Sequence, residues 1–118
     1  MSDNVLLVNT MVVGLKYRDP EEQDAASLLV PGDEVLLVPE PDNEYDHLAL
    51  KVVADPTLQK HPTLGDRASG YHVGYVPKGL NAAPHRLLVA GFELVGHVLP
   101  TDQPGQLWIA ISLVTADG

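Results

Sequence analysis

Ten prolines and ten glycines are spread along this 118-residue chain, and they cut its apolar segments into short pieces. Punctuation of that density favours strands and turns over long helices. Between the breakers lie runs rich in β-branched and aliphatic residues. Val5-Leu6-Leu7-Val8 and Met11-Val12-Val13 fall within residues 5–17, and further runs occupy 34–39, 48–54, 71–76, 92–99 and 107–114. Each is short enough for a strand, and Tyr71-His72-Val73-Gly74-Tyr75-Val76 alternates as a half-buried strand should. The first is predicted to be one long bent strand over 5–17, with Gly14 marking a bulge or a close backbone approach.

The remaining segments read as helix or turn. Residues 19–29 begin with Asp19-Pro20 and carry Glu21 and Glu22 in the first turn, the pattern of a short exposed helix or an ordered loop. Pro31-Gly32-Asp33 is a turn, and a second turn over 100–105 joins the last two runs. Residues 55–70, broken by Pro56, Pro62 and Gly65, are expected to form an elaborated hairpin loop, the most mobile part of the chain. From Pro77 to Ala90, Leu80, Leu87 and Leu88 recur at helical spacing, and Pro84 either interrupts that helix or marks its true start. Six short strands cannot bury both faces as an open sheet. The expected fold is therefore mainly β, a small six-stranded OB-like barrel with one or two short helices, in a single domain over residues 1–118.

Composition removes several function classes. With no cysteine there are no disulfides and no thiolate metal sites. His47, His61, His72, His85 and His97 are scattered, without an i,i+4 pair, and the acidic pairs lack a calcium-loop pattern, so no metal or other cofactor is expected. Walker, nucleophile-elbow and dinucleotide motifs are missing, and Ser27, Ser69 and Ser112 have no neighbouring base, so no enzymatic activity is expected. Trp108, between Leu107 and Ile109, reads as packing. Met1-Ser2-Asp3-Asn4 lacks the basic start of a signal peptide, and Asn9, Gly14 and Lys16 break the longest apolar stretches below a spanning length of about twenty residues, which points to a soluble cytoplasmic protein. The net charge of −9 opposes any broad affinity for phosphate backbones.

One loop is richer in chemistry than a turn requires. Glu40-Pro41-Asp42-Asn43-Glu44-Tyr45-Asp46 runs into Ala49-Leu50-Lys51-Val52, and its Asn, Tyr and Asp together offer donors, acceptors and a stacking face. Two other segments accompany it: Val12-Val13-Gly14-Leu15-Lys16-Tyr17 before, and Val73-Gly74-Tyr75-Val76-Pro77-Lys78 after. In that order, over about residues 12–98, they resemble a HIRAN domain.

The resemblance implies an OB-like barrel that grips the 3′ end of single-stranded DNA. Domains of this kind occur in fork-remodelling helicases and as small stand-alone proteins, so a helicase or nuclease activity would belong to another chain. It places a phosphate contact on Lys16 and base stacking on Tyr17. Tyr45 would pack on the last nucleotide, Asp46 would accept from the terminal 3′-hydroxyl, and Asn43 would add a polar contact. Tyr75 and Lys78 would supply an aromatic or polar contact and a phosphate-binding lysine, helped by free N–H groups of a helix starting near Pro77. A carboxylate that accepts from a hydroxyl repels a 3′-phosphate, so Asp46 would select by repulsion as well as attraction. Departures from the family pattern are Glu44 in place of Pro, Leu48 in place of Asn, and Arg18 in place of a second aromatic, which would add a cation beside the site. The residue-level alternative for Asp46 is a turn cap bonding backbone N–H groups. The alternative for the whole chain is an acidic protein-interaction module, motivated by the charge and the acidic run over 19–24.

Overall fold

Alternation of inward and outward side chains builds the sheet. In Glu34–Pro39 (β2), Val35 and Leu37 are buried while Leu36 and Val38 face outward, the period of two expected of a strand with one face on a core. The computed structural model describes residues 4–54 and 71–115. With β2 stand Asn4–Met11 (β1), Leu50–Ala54 (β3), Tyr71–Tyr75 (β4), Leu94–Leu99 (β5) and Trp108–Val114 (β6). They form one antiparallel sheet in the order β1-β6-β5-β2-β3-β4. Among the described residues, two α-helices, Pro20–Leu28 (α1) and Ala82–Val89 (α2), accompany the sheet. The predicted six strands with short helices are what the chain adopts. The hairpin loop expected over 55–70 lies outside the described residues.

The ladder itself is open, but the sheet curls until its two edges touch. Beyond the end of β1, Val13 forms a single antiparallel bridge with Tyr75 of β4, its N–H donating to the Tyr75 carbonyl and its carbonyl accepting from the Tyr75 N–H, both at 2.9 Å. Val12 donates to the Leu107 carbonyl at 2.7 Å, so the same short segment is tied to both sides. Gly74 permits this approach. A Cβ there would lie 2.5 Å from Val12 Cγ1 and 2.6 Å from the Val13 carbonyl oxygen, closer than any side chain tolerates. Inside the curl, Leu50, Ile109, Ile111, Val35, Val52 and Val73 are fully buried, and Ala25 and Ala26 of α1, with Leu29 just after it, join the same core.

Beyond shifts of one or two residues at β4, β5 and β6, three boundaries near the loop differ from the sequence reading. The first strand ends at Met11 rather than 17, because Gly14 adopts a left-handed conformation (φ 84°) and turns the chain into a 3-10 turn, Leu15–Tyr17. Lys16 and Tyr17 therefore sit on that turn and not on a strand. β3 begins at Leu50 rather than 48, since Leu48 and Ala49 are still held by Asp46. Helix α2 begins at Ala82, with Pro84 in its first turn, where a missing N–H costs little. Lys78 thus precedes the helix, and the N–H groups near Pro77 are not a helix terminus. Among the described residues, no helix is long and apolar enough to cross a membrane.

Candidate nucleic-acid interface

The loop between β2 and β3 is held by its own side chains. At its base the Glu40 N–H donates to the Ala49 carbonyl (3.0 Å). Asn43 Oδ1 accepts from the backbone N–H groups of Tyr45 (2.9 Å) and Asp46 (3.0 Å), while its amide Nδ2 donates to Glu40 Oε1 at 2.6 Å. This is the Asx-turn geometry that Asn favours. It fixes the loop with Glu44 standing where the family often has proline. Asn43 therefore acts as the loop's internal brace, with both ends of its amide occupied by the protein.

Asp46 is braced in the same manner. Its Oδ1 accepts from the Leu48 N–H (2.9 Å), so the turn-cap geometry is present, and its Oδ2 accepts from Asn81 Nδ2 at 2.8 Å. Those two bonds, the Asn81 one foremost, hold the Asp46 carboxyl below its ordinary range, and the nearby charges of Lys78 and His85 act in the same direction. Asp46 is thus ionised and oriented at neutral pH. His85, buried in α2, makes a hydrogen bond of 3.1 Å from Nδ1 to the Ala49 carbonyl. Because a carbonyl only accepts, Nδ1 carries the proton.

Glu40 joins this loop to β4. Its Oε1 accepts from the Tyr75 hydroxyl (3.0 Å) as well as from Asn43, and its Oε2 lies 3.7 Å from Lys51 Nζ. The Asn43 bond is the main cause of a lowered Glu40 pKa, with Tyr75 and Lys51 adding to it against partial burial. Tyr75 answers with a raised pKa, first from burial and then from its bond to Glu40. Its ring meets His72 edge to face at 4.7 Å, and His72 Nε2 donates to the Gly74 carbonyl at 3.0 Å. The Tyr75 phenol is thereby committed to the protein.

Two aromatics point outward at this end of the sheet. Tyr45 is 85% exposed and Tyr17 is 78% exposed, unusual for large rings unless they serve a surface contact. Lys16 Nζ stands 5.2 Å from the centre of the Tyr17 ring, a cation–π distance. Their turn starts at Gly14, which packs against the Tyr75 ring, since a Cβ on Gly14 would sit 3.9 Å from Tyr75 Cδ2. Arg18 is not an added free cation. Its guanidinium pairs with Glu22 at 3.0 Å and donates to the His72 carbonyl at 3.2 Å.

Asn43, Asp46 and Tyr75 therefore share one connected set of hydrogen bonds, Tyr45 rides on it, Lys78 lies within electrostatic reach, and Lys16 with Tyr17 flank it across the Val13 bridge. Glu40, Asn81 and His85 belong to the same set and were not singled out from sequence. Glu40 sits in the motif, where its residue type alone does not mark it as the acceptor for Tyr75 and Asn43. The spacing of Asn81 and His85, i and i+4, does mark one helical face. Among the described residues, no group of three or more His, Asp or Glu could hold a metal ion.

The six strands form an antiparallel, OB-like curled sheet with polar and aromatic groups gathered at one end. The HIRAN domain model matches residues 5–115, and the chain belongs to that family, which is generally associated with DNA binding. Among solved structures, a Lactobacillus plantarum protein determined by a structural genomics programme is similar at 25% identity, with a TM-score of 0.76 over 98% of this chain and 100% of that one. The HIRAN domain of human HLTF shares the fold at 20% identity, with a TM-score of 0.65 over 97% of this chain and 81% of that one. No curated protein matches the chain.

Proposed function

We propose that the chain is a binding module, not an enzyme, that recognises the 3′-hydroxyl end of single-stranded DNA in the cytoplasm. In repair or fork processing it would act beside a helicase or nuclease. The observation that carries this reading is the pairing of an exposed Tyr45 ring with an oriented, ionised Asp46 beside it. A ring that stacks on the last base brings the terminal hydroxyl toward a carboxylate whose remaining lone pairs accept it, and the same charge repels a 3′-phosphate. Lys78 and Lys16 supply local positive charge, and Tyr17 and Tyr75 supply further ring faces. Asn43 acts by holding the loop. With a net charge of −9, affinity rests on stacking and on these few contacts, so it is modest and local.

Fluorescence anisotropy at low salt tests this directly, comparing a short strand ending in a 3′-hydroxyl with the same strand ending in a 3′-phosphate. Preference for the hydroxyl, lost in Tyr45→Ala and Asp46→Ala, supports the reading. Equal binding of the two strands removes it. A second reading, a protein-interaction module, draws on the exposed Asp19, Glu21 and Asp24 side chains around the start of α1. It predicts no binding to either strand and recovery of a basic protein partner at moderate salt.

A further inference from the structure

A cleft of about 590 Å³ opens between the 3-10 turn, α1 and the β5–β6 loop. Its floor is apolar, built from the buried Ala26, Leu29, Val98 and Leu107, and its rim carries Lys16, Gln103 and Gln106. The chain has sixteen acidic residues, yet none lines this cleft, and its one charged wall residue is Lys16. Lys16 also stands over Tyr17, at the edge of the candidate interface described above.

We infer that this cleft receives an internal base of the bound single strand, the strand passing over Lys16 after its end is held at Tyr45 and Asp46. The inference rests on the proposed 3′-end reading. An unstacked base offers a flat apolar face to Ala26, Leu29 and Leu107, and a polar edge to the amides of Gln103 and Gln106. Lys16 then meets a phosphate of the intervening strand, between the held end and the cleft, which a dinucleotide is too short to span. The missing acids are what an otherwise acidic surface requires at a place where a phosphodiester passes. An apolar peptide would use the floor but would draw no benefit from Lys16.

Trp108 supplies the readout. It is the chain's single tryptophan, and its Nε1 donates to Gln106 Oε1 at 3.0 Å on the cleft rim. Tryptophan emission of the full chain is followed while titrating either a dinucleotide or a hexanucleotide, both with 3′-hydroxyl ends. The expected result is that the hexanucleotide changes Trp108 emission and binds about tenfold more tightly, the gain of one stacked base, while the dinucleotide leaves the emission unchanged. Gln103→Glu, an exposed loop substitution, places an acid in the cleft. It should remove the hexanucleotide's advantage while preserving dinucleotide affinity and the hydroxyl-over-phosphate preference. If the hexanucleotide binds no better than the dinucleotide and Trp108 is silent, the cleft assignment fails while the end-binding reading stands. A Trp108 response to both 3′-hydroxyl and 3′-phosphate hexanucleotides, without dinucleotide binding, supports the cleft and removes the end pocket. Absence of binding by any strand overturns both.

Discussion

The Asn81 amide donates to Asp46 Oδ2 at 2.8 Å, and it does so from a position only 2% exposed, which makes the start of α2 the support for a carboxylate on the β2–β3 loop. Removing that donor leaves Asp46 held by the Leu48 N–H alone. Asn81→Ala should lower stability, because a buried side chain and its hydrogen bond to the carboxylate are lost together. On the proposed reading, it should also narrow the difference between 3′-hydroxyl and 3′-phosphate strands. Chemical denaturation together with the two-strand binding comparison checks both effects.

Exposed aromatics separate binding from folding. Tyr45→Ala and Tyr17→Ala remove rings that pack on little, so each should change stability by no more than about 0.5 kcal/mol. Each should weaken binding of a 3′-hydroxyl strand by roughly 1–3 kcal/mol if the rings stack on bases. Thermal melts and anisotropy on the same preparations check this. A loss of stability comparable to the loss of binding would assign the rings a packing role.

Gly74 is the position where the barrel tolerates least. A methyl there meets Val12 Cγ1 and the Val13 carbonyl, and the carbonyl is one of the two groups that bridge to Tyr75. Gly74→Ala should destabilise by about 1–3 kcal/mol through overpacking. Gly79→Ala, whose added Cβ meets nothing within 4 Å but whose φ is 97°, serves as a control for backbone strain without a clash. Urea unfolding of the two variants distinguishes them.

The response to acid should pass through His72. Burial, then Arg18 and Lys51, depress its pKa below the ordinary value. A depressed folded pKa means that the unfolded chain takes up the proton first, so stability is complete above about pH 6.5 and falls as the pH drops below it. Glu22 and Glu40 face the same ring and reduce the effect without reversing it. His72→Gln should lose less melting temperature than the parent between pH 7.5 and 5.5. Parallel melts at the two values measure the difference.

Strand positions were legible because buried strands must be apolar and their ends need breakers; β2 matches its expected bounds of 34 and 39. The end of β1 was not, since Val12 and Val13 are as β-prone as the residues before them and only the backbone of Gly14 turns the chain. The start of α2 was obscured by Leu80, which fits the helical spacing yet lies in a turn. At the site, the aromatic and ionic residues stood out by type. Their supports did not, because Asn81 and His85 meet residues 46 and 49 only once α2 packs beneath the loop.

The bridge between Val13 and Tyr75 gives the barrel a seam. Four of the strand pairs are stitched along most of their length and β2–β5 over Glu34 and Val35; here two hydrogen bonds hold two edges together. Tyr75 carries one side of that seam, and the turn bearing Lys16 and Tyr17 continues from the other. A ligand that touches both sides works as a clasp across the join, so occupancy and barrel closure reinforce each other, and slower exchange of the Val13 and Tyr75 amide protons would be the first sign that the clasp has shut.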